Sequence, residues 1–212
     1  MDRFTRSRII FGEDFDKIRN AKIILLGVGG VGGFCLDALY RSGVKDITIV
    51  DFDTFDITNQ NRQLGSEELG RVKVEVMKER YKGIEAIELK ITKNWVENFD
   101  FTPYDLVIDA IDDMPAKVAV ANKCYTKLIS STGGAKKLDP TRIKITSVWK
   151  TYSDGLAKKF RYELKKSGFS GDFNVVFSDE EPNCKDLGSF VGVTGSFGLT
   201  LASLAIKKIT DR

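Results

Sequence analysis

Gly27-Val28-Gly29-Gly30-Val31-Gly32 follows the apolar run Ile23-Ile24-Leu25-Leu26 and precedes a helical pattern from Phe34 to Ser42. Glycines at this spacing let the backbone turn tightly, leave room for a pyrophosphate, and aim the amides of a helix start at its charge. Gly27, Gly29, Gly30 and Gly32 are therefore candidate nucleotide contacts. Asp51 ends the run Ile47-Thr48-Ile49-Val50 about 20 residues further on, where an acid takes the ribose hydroxyls in such sites. Dehydrogenases and adenylating enzymes both carry this arrangement, so the choice between them rests on the residues beyond Asp51.

Those residues are Phe52-Asp53, then Asn59-Gln60-Asn61-Arg62-Gln63, Lys73, and Asp109-Ala110-Ile111-Asp112. A nicotinamide cofactor would not need further cations at this crevice. Arg62, with its forked donors, and Lys73, a mobile point charge, suit a triphosphate. Asp112 could hold the Mg²⁺ that neutralises the phosphates. Asp53, Asn59 and Gln63 complete the candidate nucleotide set, with Thr132-Gly133-Gly134 on the far side of the crevice.

These residues need a scaffold that brings strand ends together. Ile23–Leu26, Ile47–Val50, Ile87–Ile91, Tyr104–Ala110 and Leu128–Ser131 read as strands, with helices over Phe34–Ser42, Arg71–Tyr81 and Lys117–Thr126 between them. Such alternation predicts an α/β fold: a doubly wound, mostly parallel, Rossmann-like sheet. After Asp139 comes a C-terminal strand and helix extension, with strands at Arg142–Trp149 and Val175–Phe177, a basic amphipathic helix over Thr151–Lys166, and a glycine-rich final helix. Residues 1–135 form the nucleotide-binding region and 136–212 an extension of the same domain. Two short helices, broken near Gly12, open the chain.

The 212 residues include no histidine, which removes the commonest general base, and only three cysteines, too scattered for a disulfide framework or a four-thiolate zinc site. Cys35 and Cys124 fall on apolar helical patterns and Cys184 in a loop. The cysteine usage and the charged N-terminus predict a cytoplasmic location. Gly188 to Ile206 is uncharged over a membrane-spanning length, but its Gly, Ser and Thr content predicts a helix buried against the sheet or a subunit partner.

Taken in order, the motifs from Gly27 to Asp112 resemble the adenylation domain of the ubiquitin-activating-enzyme (ThiF/MoeB-like) superfamily. The resemblance implies that Gly30 and Asp51 hold ATP, that Asn59 and Arg62 contact its phosphates, and that Lys73 stabilises charge at the reacting α-phosphate. It also implies that Asp112 binds Mg²⁺ and that Arg6 reaches into a neighbouring subunit's site, which makes Arg62, Lys73 and Arg6 the catalytic set. Asp139-Pro140-Thr141-Arg142, Lys150-Thr151 with Asp154 and the basic helix, Val175–Ser178 and the terminal helix resemble the tRNA threonylcarbamoyladenosine dehydratases. Asp179 to Leu187 looks shorter than usual for that group.

The implied reaction is ATP-dependent cyclisation of threonylcarbamoyladenosine in tRNA through an acyl-adenylate, by a homodimer, with a sulfur-transfer protein as a possible partner. The basic helix, through Lys158, Arg161 and Lys165, would face tRNA together with Lys136, Lys137, Arg142, Lys144 and Lys150. The alternative is an adenylyltransferase that activates the Gly-Gly tail of a ubiquitin-like sulfur carrier; it shares every nucleotide residue, but the paired C-x-x-C zinc motifs usual there are missing. A nucleotide-binding scaffold without chemistry is a further reading.

Overall fold

The computed structural model describes residues 1–211. Two short helices, α1 (Thr5–Phe11) and α2 (Phe15–Asn20), lead into β1 (Lys22–Leu26). Then come α3 (Gly32–Ser42), β2 (Asp46–Asp51), α4 (Lys73–Arg80), β3 (Glu85–Glu88), α5 (Lys93–Asn98), β4 (Leu106–Asp109), α6 (Met114–Cys124) and β5 (Leu128–Ser131). The chain closes with β6 (Ile143–Ser147), α7 (Gly155–Lys166), β7 (Asn174–Ser178) and α8 (Val191–Thr210).

The strands form one sheet in the order β3-β2-β1-β4-β5-β7-β6, parallel throughout except for β6, which runs antiparallel to β7. The expected doubly wound α/β sheet is therefore present, and β6 and β7 complete it rather than forming a second body. Along β1 every second side chain serves a different core: Ile23 and Leu25 pack with Leu36, Met77 and Phe197 on one face, Ile24 and Leu26 with Val120, Phe160 and Leu164 on the other. Burial on both faces is why this strand reads as a continuous apolar run. Strand order reverses between β1 and β4, so a crevice opens beyond their carboxyl ends, where open α/β sheets bind ligands.

Several boundaries differ from those the sequence pattern predicts. β3 is Glu85–Glu88, not Ile87–Ile91, because the chain leaves the sheet once the Leu89 N–H has bonded the Asp51 carbonyl. α6 starts three residues before Lys117, at Met114, where the Asp113 carboxylate accepts the Ala116 N–H at 2.8 Å and Pro115 occupies the first turn. α7 likewise begins at Gly155, capped by Asp154, whose carboxylate accepts the Ala157 N–H at 2.7 Å.

The uncharged terminal helix packs within this chain. α8 lies on α3 so closely that a Cβ on Gly198 would sit 2.4 Å from the Val31 carbonyl oxygen. Val191 and Leu199 of the same helix remain exposed, at 40% and 52%. Among the described residues, no helix is long and apolar enough to cross a membrane.

Candidate adenylation site

The glycine turn is built by two kinds of constraint. Gly27 has φ +88°, a conformation costly for other residues, and its N–H donates to the Val50 carbonyl at 2.8 Å. Gly32 is needed for contact instead: a Cβ there would lie 1.9 Å from the Gly27 carbonyl oxygen. Gly32 does not line the cleft, so the nucleotide contact expected of it is corrected to a packing role that seats α3 against the end of β1. The Gly29, Gly30 and Val31 amides at the head of α3 have no hydrogen-bond partner among the described residues. Three unpaired donors at a helix start form an anion cradle.

This cradle is one wall of a cleft of about 750 Å³, also lined by Gly27, Asp51, Asp53, Asn59, Arg62, Gln63, Lys73 and Asp112. Asp51 is nearly buried; one carboxylate oxygen accepts the Val28 N–H at 2.8 Å and the other the Asp53 N–H at 3.0 Å. Each oxygen keeps a lone pair for a ribose hydroxyl. Lys73, only 5% exposed at the head of α4, pairs with Asp53 at 2.9 Å. Arg62 comes after a 3₁₀ turn whose Asn59 accepts the Asp56 N–H at 3.1 Å. One Arg62 nitrogen donates to the Thr58 carbonyl at 2.8 Å and to Asn61 at 2.9 Å, which leaves the remaining guanidinium donors unpaired among the described residues. The Gln63 side-chain oxygen is buried without a partner among the described residues, an orphaned acceptor at the cleft wall.

Asp112 stands exposed on the lip of the cleft, without a hydrogen bond or ion pair among the described residues. No group of three or more potential metal ligands occurs among those residues. A single free carboxylate beside a phosphate cradle nevertheless fits Mg²⁺, which commonly takes one protein carboxylate and completes its shell with phosphate oxygens and water.

Residues to which the motifs gave no role of their own hold this lip in place. Fully buried Asp109 accepts from the Lys117 ammonium and the Ser130 hydroxyl, both at 2.6 Å, and from the Ile111 N–H at 3.1 Å. The network fixes the turn that carries Asp112. On the β2 side Phe52, Lys90 and Ile91 also line the cleft, with the Lys90 ammonium 5.3 Å from the Phe52 ring centre. Their signal was available, since both segments come directly after strands that point at the crevice.

Arg6 is not part of the cleft of its own chain. It lies exposed on α1 without a partner among the described residues, whereas Arg8 pairs with Asp2 at 2.6 Å and Arg3 lies over the rings of Phe4 and Tyr40. Of the residues expected to face tRNA, Lys137 is buried and donates to the Ser178 and Glu180 carbonyls at 3.0 and 2.8 Å. Arg142 and Lys144 both bond Asp179, and Arg161 donates to the Thr151 hydroxyl. Hydrogen bonds from Lys144, Arg142 and Tyr152 hold the Asp179 carboxyl well below the usual carboxylate range. These cations are committed within the chain; Lys150, Lys158, Lys159, Lys165 and Lys166 are exposed, with no side-chain hydrogen bond or ion pair among the described residues.

The cysteines offer no nucleophile to this site. Burial pushes the Cys35 thiol up and raises that of Cys124 to about 12, so both stay protonated at neutral pH. Cys184 is exposed and outside the cleft lining.

Comparison with known proteins agrees with this geometry. The ThiF family matches residues 2–212. The tRNA threonylcarbamoyladenosine dehydratase of Bacillus subtilis is 41% identical over 194 residues, covering 86% of this chain and 76% of the relative. That of Haemophilus influenzae is 33% identical, covering 97% and 92%. The crystal structure of the Escherichia coli tRNA N6-threonylcarbamoyladenosine dehydratase in complex with ATP superposes with a TM-score of 0.94 at 32% identity, covering 99% of this chain and 94% of that one. A structure of the same E. coli protein with AMP matches with a TM-score of 0.93. Sequence and structure thus agree that this chain belongs to the ThiF family and, within it, to the group of the tRNA threonylcarbamoyladenosine dehydratases.

Proposed function

We propose that this protein uses ATP to cyclise N6-threonylcarbamoyladenosine in tRNA, with net loss of water, through an acyl-adenylate. The observation that carries the reading is the pairing of an unpaired amide cradle with a buried lysine, in a cleft lined by neither cysteine nor histidine. The attacking atom is then assigned to the substrate, whose threonyl carboxylate supplies it. Its oxygen attacks the α-phosphorus, the bond to the β-phosphate oxygen breaks, and pyrophosphate leaves. A nitrogen or oxygen of the modification next attacks the activated acyl carbon; AMP departs with the original carboxylate oxygen, and a proton is lost to solvent.

The protein's part is positioning and charge stabilisation. The Gly29 to Val31 amides cradle phosphate and Asp51 orients the ribose. Lys73 and the free donors of Arg62 stabilise charge as the α-phosphate is attacked. Asp112 would hold Mg²⁺, whose chemistry is to neutralise the phosphates. We assign Arg6 to the site of a second copy in a homodimer, because α1 presents it unpaired beside the exposed Ile9 and Ile10. The tRNA backbone would lie along α7 and the adjoining groove, where Lys159 and Lys166 meet Lys93 and Lys123.

The test is mass spectrometry of nucleosides from modified tRNA incubated with protein, ATP and Mg²⁺. Loss of 18 Da from threonylcarbamoyladenosine, together with AMP and pyrophosphate, is the expected result. With ¹⁸O in the threonyl carboxylate, label must appear in AMP; label in inorganic phosphate would refute the adenylate. Pyrophosphate exchange stimulated only by a Gly-Gly carrier peptide would assign the chain to sulfur-carrier activation instead.

A further inference from the structure

The cleft extends beyond the nucleotide motifs into a second lobe. Its walls are the segment leaving β5, the turn before α7, and the strap Pro182–Ser189, which places Gly134, Ala135, Leu156, Pro182 and Leu187 around one space. The Gly134 and Ala135 amides have no partner among the described residues. Leu156, Pro182 and Leu187 add apolar surface to a lining that also holds Lys136, Ser153 and Asp154, and Leu187 is 81% exposed where it lines the cleft. An exposed leucine beside unpaired amides suits a ligand with an apolar flat face and an anionic end.

The strap is fixed in place. The Lys136 N–H donates to the Gly188 carbonyl at 2.9 Å, the Asn183 N–H to the Lys136 carbonyl at 2.8 Å, and the Asn61 amide to the Ser189 carbonyl at 3.1 Å. Backbone strain also gathers here: Lys136 and Ser153, with φ +66° and +51°, both line this lobe, and Asp211 is the only other non-glycine with positive φ among the described residues. Such conformations persist where the surrounding structure holds them, commonly at ligand sites.

Resting on the reaction proposed above, we infer that this lobe is the subsite for the modified nucleoside. Its purine lies against Leu156, Pro182 and Leu187, and its threonyl carboxylate is oriented by the Gly134 and Ala135 amides toward the cradle. Lys137 supports this division, since Lys73, the other buried cation lining the cleft, is assigned to the phosphates. Lys137 is consumed by the Ser178 and Glu180 carbonyls and lies 3.4 Å from Asp154, so it is not free to form an ion pair with the incoming carboxylate. Neutral amides orient an attacking carboxylate while leaving its charge available for attack. A base read in this way must be unstacked from its RNA loop, and an apolar rim such as Leu187 receives it.

The experiment compares wild type, Leu187→Ser and Leu187→Met in steady-state turnover of a threonylcarbamoyl-modified anticodon stem-loop, with ATP binding measured separately. Losing a side chain that buries against the base raises KM for the RNA about tenfold or more in Leu187→Ser. Leu187→Met stays within about threefold of wild type, and the ATP Kd is unchanged in both. Because Leu187 is exposed, neither change threatens the fold. If wild type turns the RNA over and Leu187→Ser matches its KM, the subsite is wrong while the reaction stands. If wild type fails to convert the modified RNA, reaction and subsite fall together.

Discussion

Two glycines of the same motif carry opposite duties, and alanine substitutions separate them. At Gly32 the added carbon would fall 1.9 Å from the Gly27 carbonyl oxygen and 2.8 Å from its carbon, against a comfortable separation of about 3.5 Å. Relief requires α3 to retreat from β1 by more than an ångström. It has no room to do so, because behind it a Cβ on Gly198 of α8 would already lie 2.4 Å from Val31 oxygen and 2.7 Å from the Phe34 Cβ. Overpacking of side chains costs about 1–3 kcal/mol, and a backbone clash clamped on both sides exceeds that range. In a chain of this size each kcal/mol lowers Tm by about 2–4 °C, so Gly32→Ala should melt roughly 10 °C early or fail to fold.

Gly29→Ala should behave differently. Gly29 has no positive φ, and its nearest neighbour to an added Cβ is the Gln63 amide nitrogen at 3.7 Å, an ordinary contact. The methyl costs the fold nothing and restricts the unfolded chain, worth about 0.4–1 kcal/mol of added stability. It does fill part of the cradle, where losing one charge-assisted amide bond, at about 1.5–3 kcal/mol, weakens ATP by roughly tenfold to more than a hundredfold. Thermal unfolding and ATP titration calorimetry on both variants read the two effects independently. A Gly32→Ala protein that melts with wild type, or a Gly29→Ala protein that binds ATP normally, would refute the division of labour.

Lys73→Met should leave the fold intact, because its partner Asp53 is half exposed and returns to water, while kcat falls by about 10²–10³, as for loss of one transition-state donor; quenched-flow measurement of pyrophosphate release checks this. Lys117→Met strands the Asp109 carboxylate in a site with 0% exposure and should cost about 3–5 kcal/mol in urea unfolding. The double variant with Asp109→Asn should recover much of that loss, since no uncompensated charge remains. The Asp179 carboxyl is held low in the folded state, so its contribution to stability is complete above the ordinary carboxylate pKa of about 3.9 and disappears as pH falls toward the lower folded value. Melting temperature measured from pH 7 down to 2 should therefore fall less steeply below pH 4 in Asp179→Asn than in wild type. Replacing Lys158, Lys159 and Lys166 together with Glu should weaken tRNA binding and reduce its salt dependence while ATP affinity holds; filter binding across a salt series measures both.

What the sequence disclosed and what it hid divide along the range of the forces involved. Gly27 was legible because a tight turn is a local demand that leaves few residue choices, whereas Gly32 reads as a nucleotide contact because its packing against Gly27 shows only in three dimensions. The strand pattern was legible because β1 is buried on both faces and must be apolar at every position. Leu89 and Ile91 misled, since their alternation reads as strand whether the apolar side meets a sheet neighbour or a ligand cleft. Lys137 and Arg142 misled for the opposite reason: each looks like a free surface cation until Glu180 and Asp179, some 40 residues away, are brought beside it.

The same logic bears on the chemistry. A residue that acts by bonding must be a particular type, and this chain has no histidine and no buried thiol fit to attack. A site that acts by holding charges in place is instead written in backbone amides and in the groups that fix them. Asp109 matters to Asp112, Gly32 to Gly29, and Lys136 to Leu187 for this reason. Substitutions at the holding residues should degrade rate by letting the held groups wander, and they should do so without shifting any catalytic pKa. A pH–rate profile for Lys117→Met that is lowered but unshifted between pH 6 and 9 is therefore expected, whereas a displaced limb would mean that the buried pair takes part in proton transfer and that the site relies on more than position.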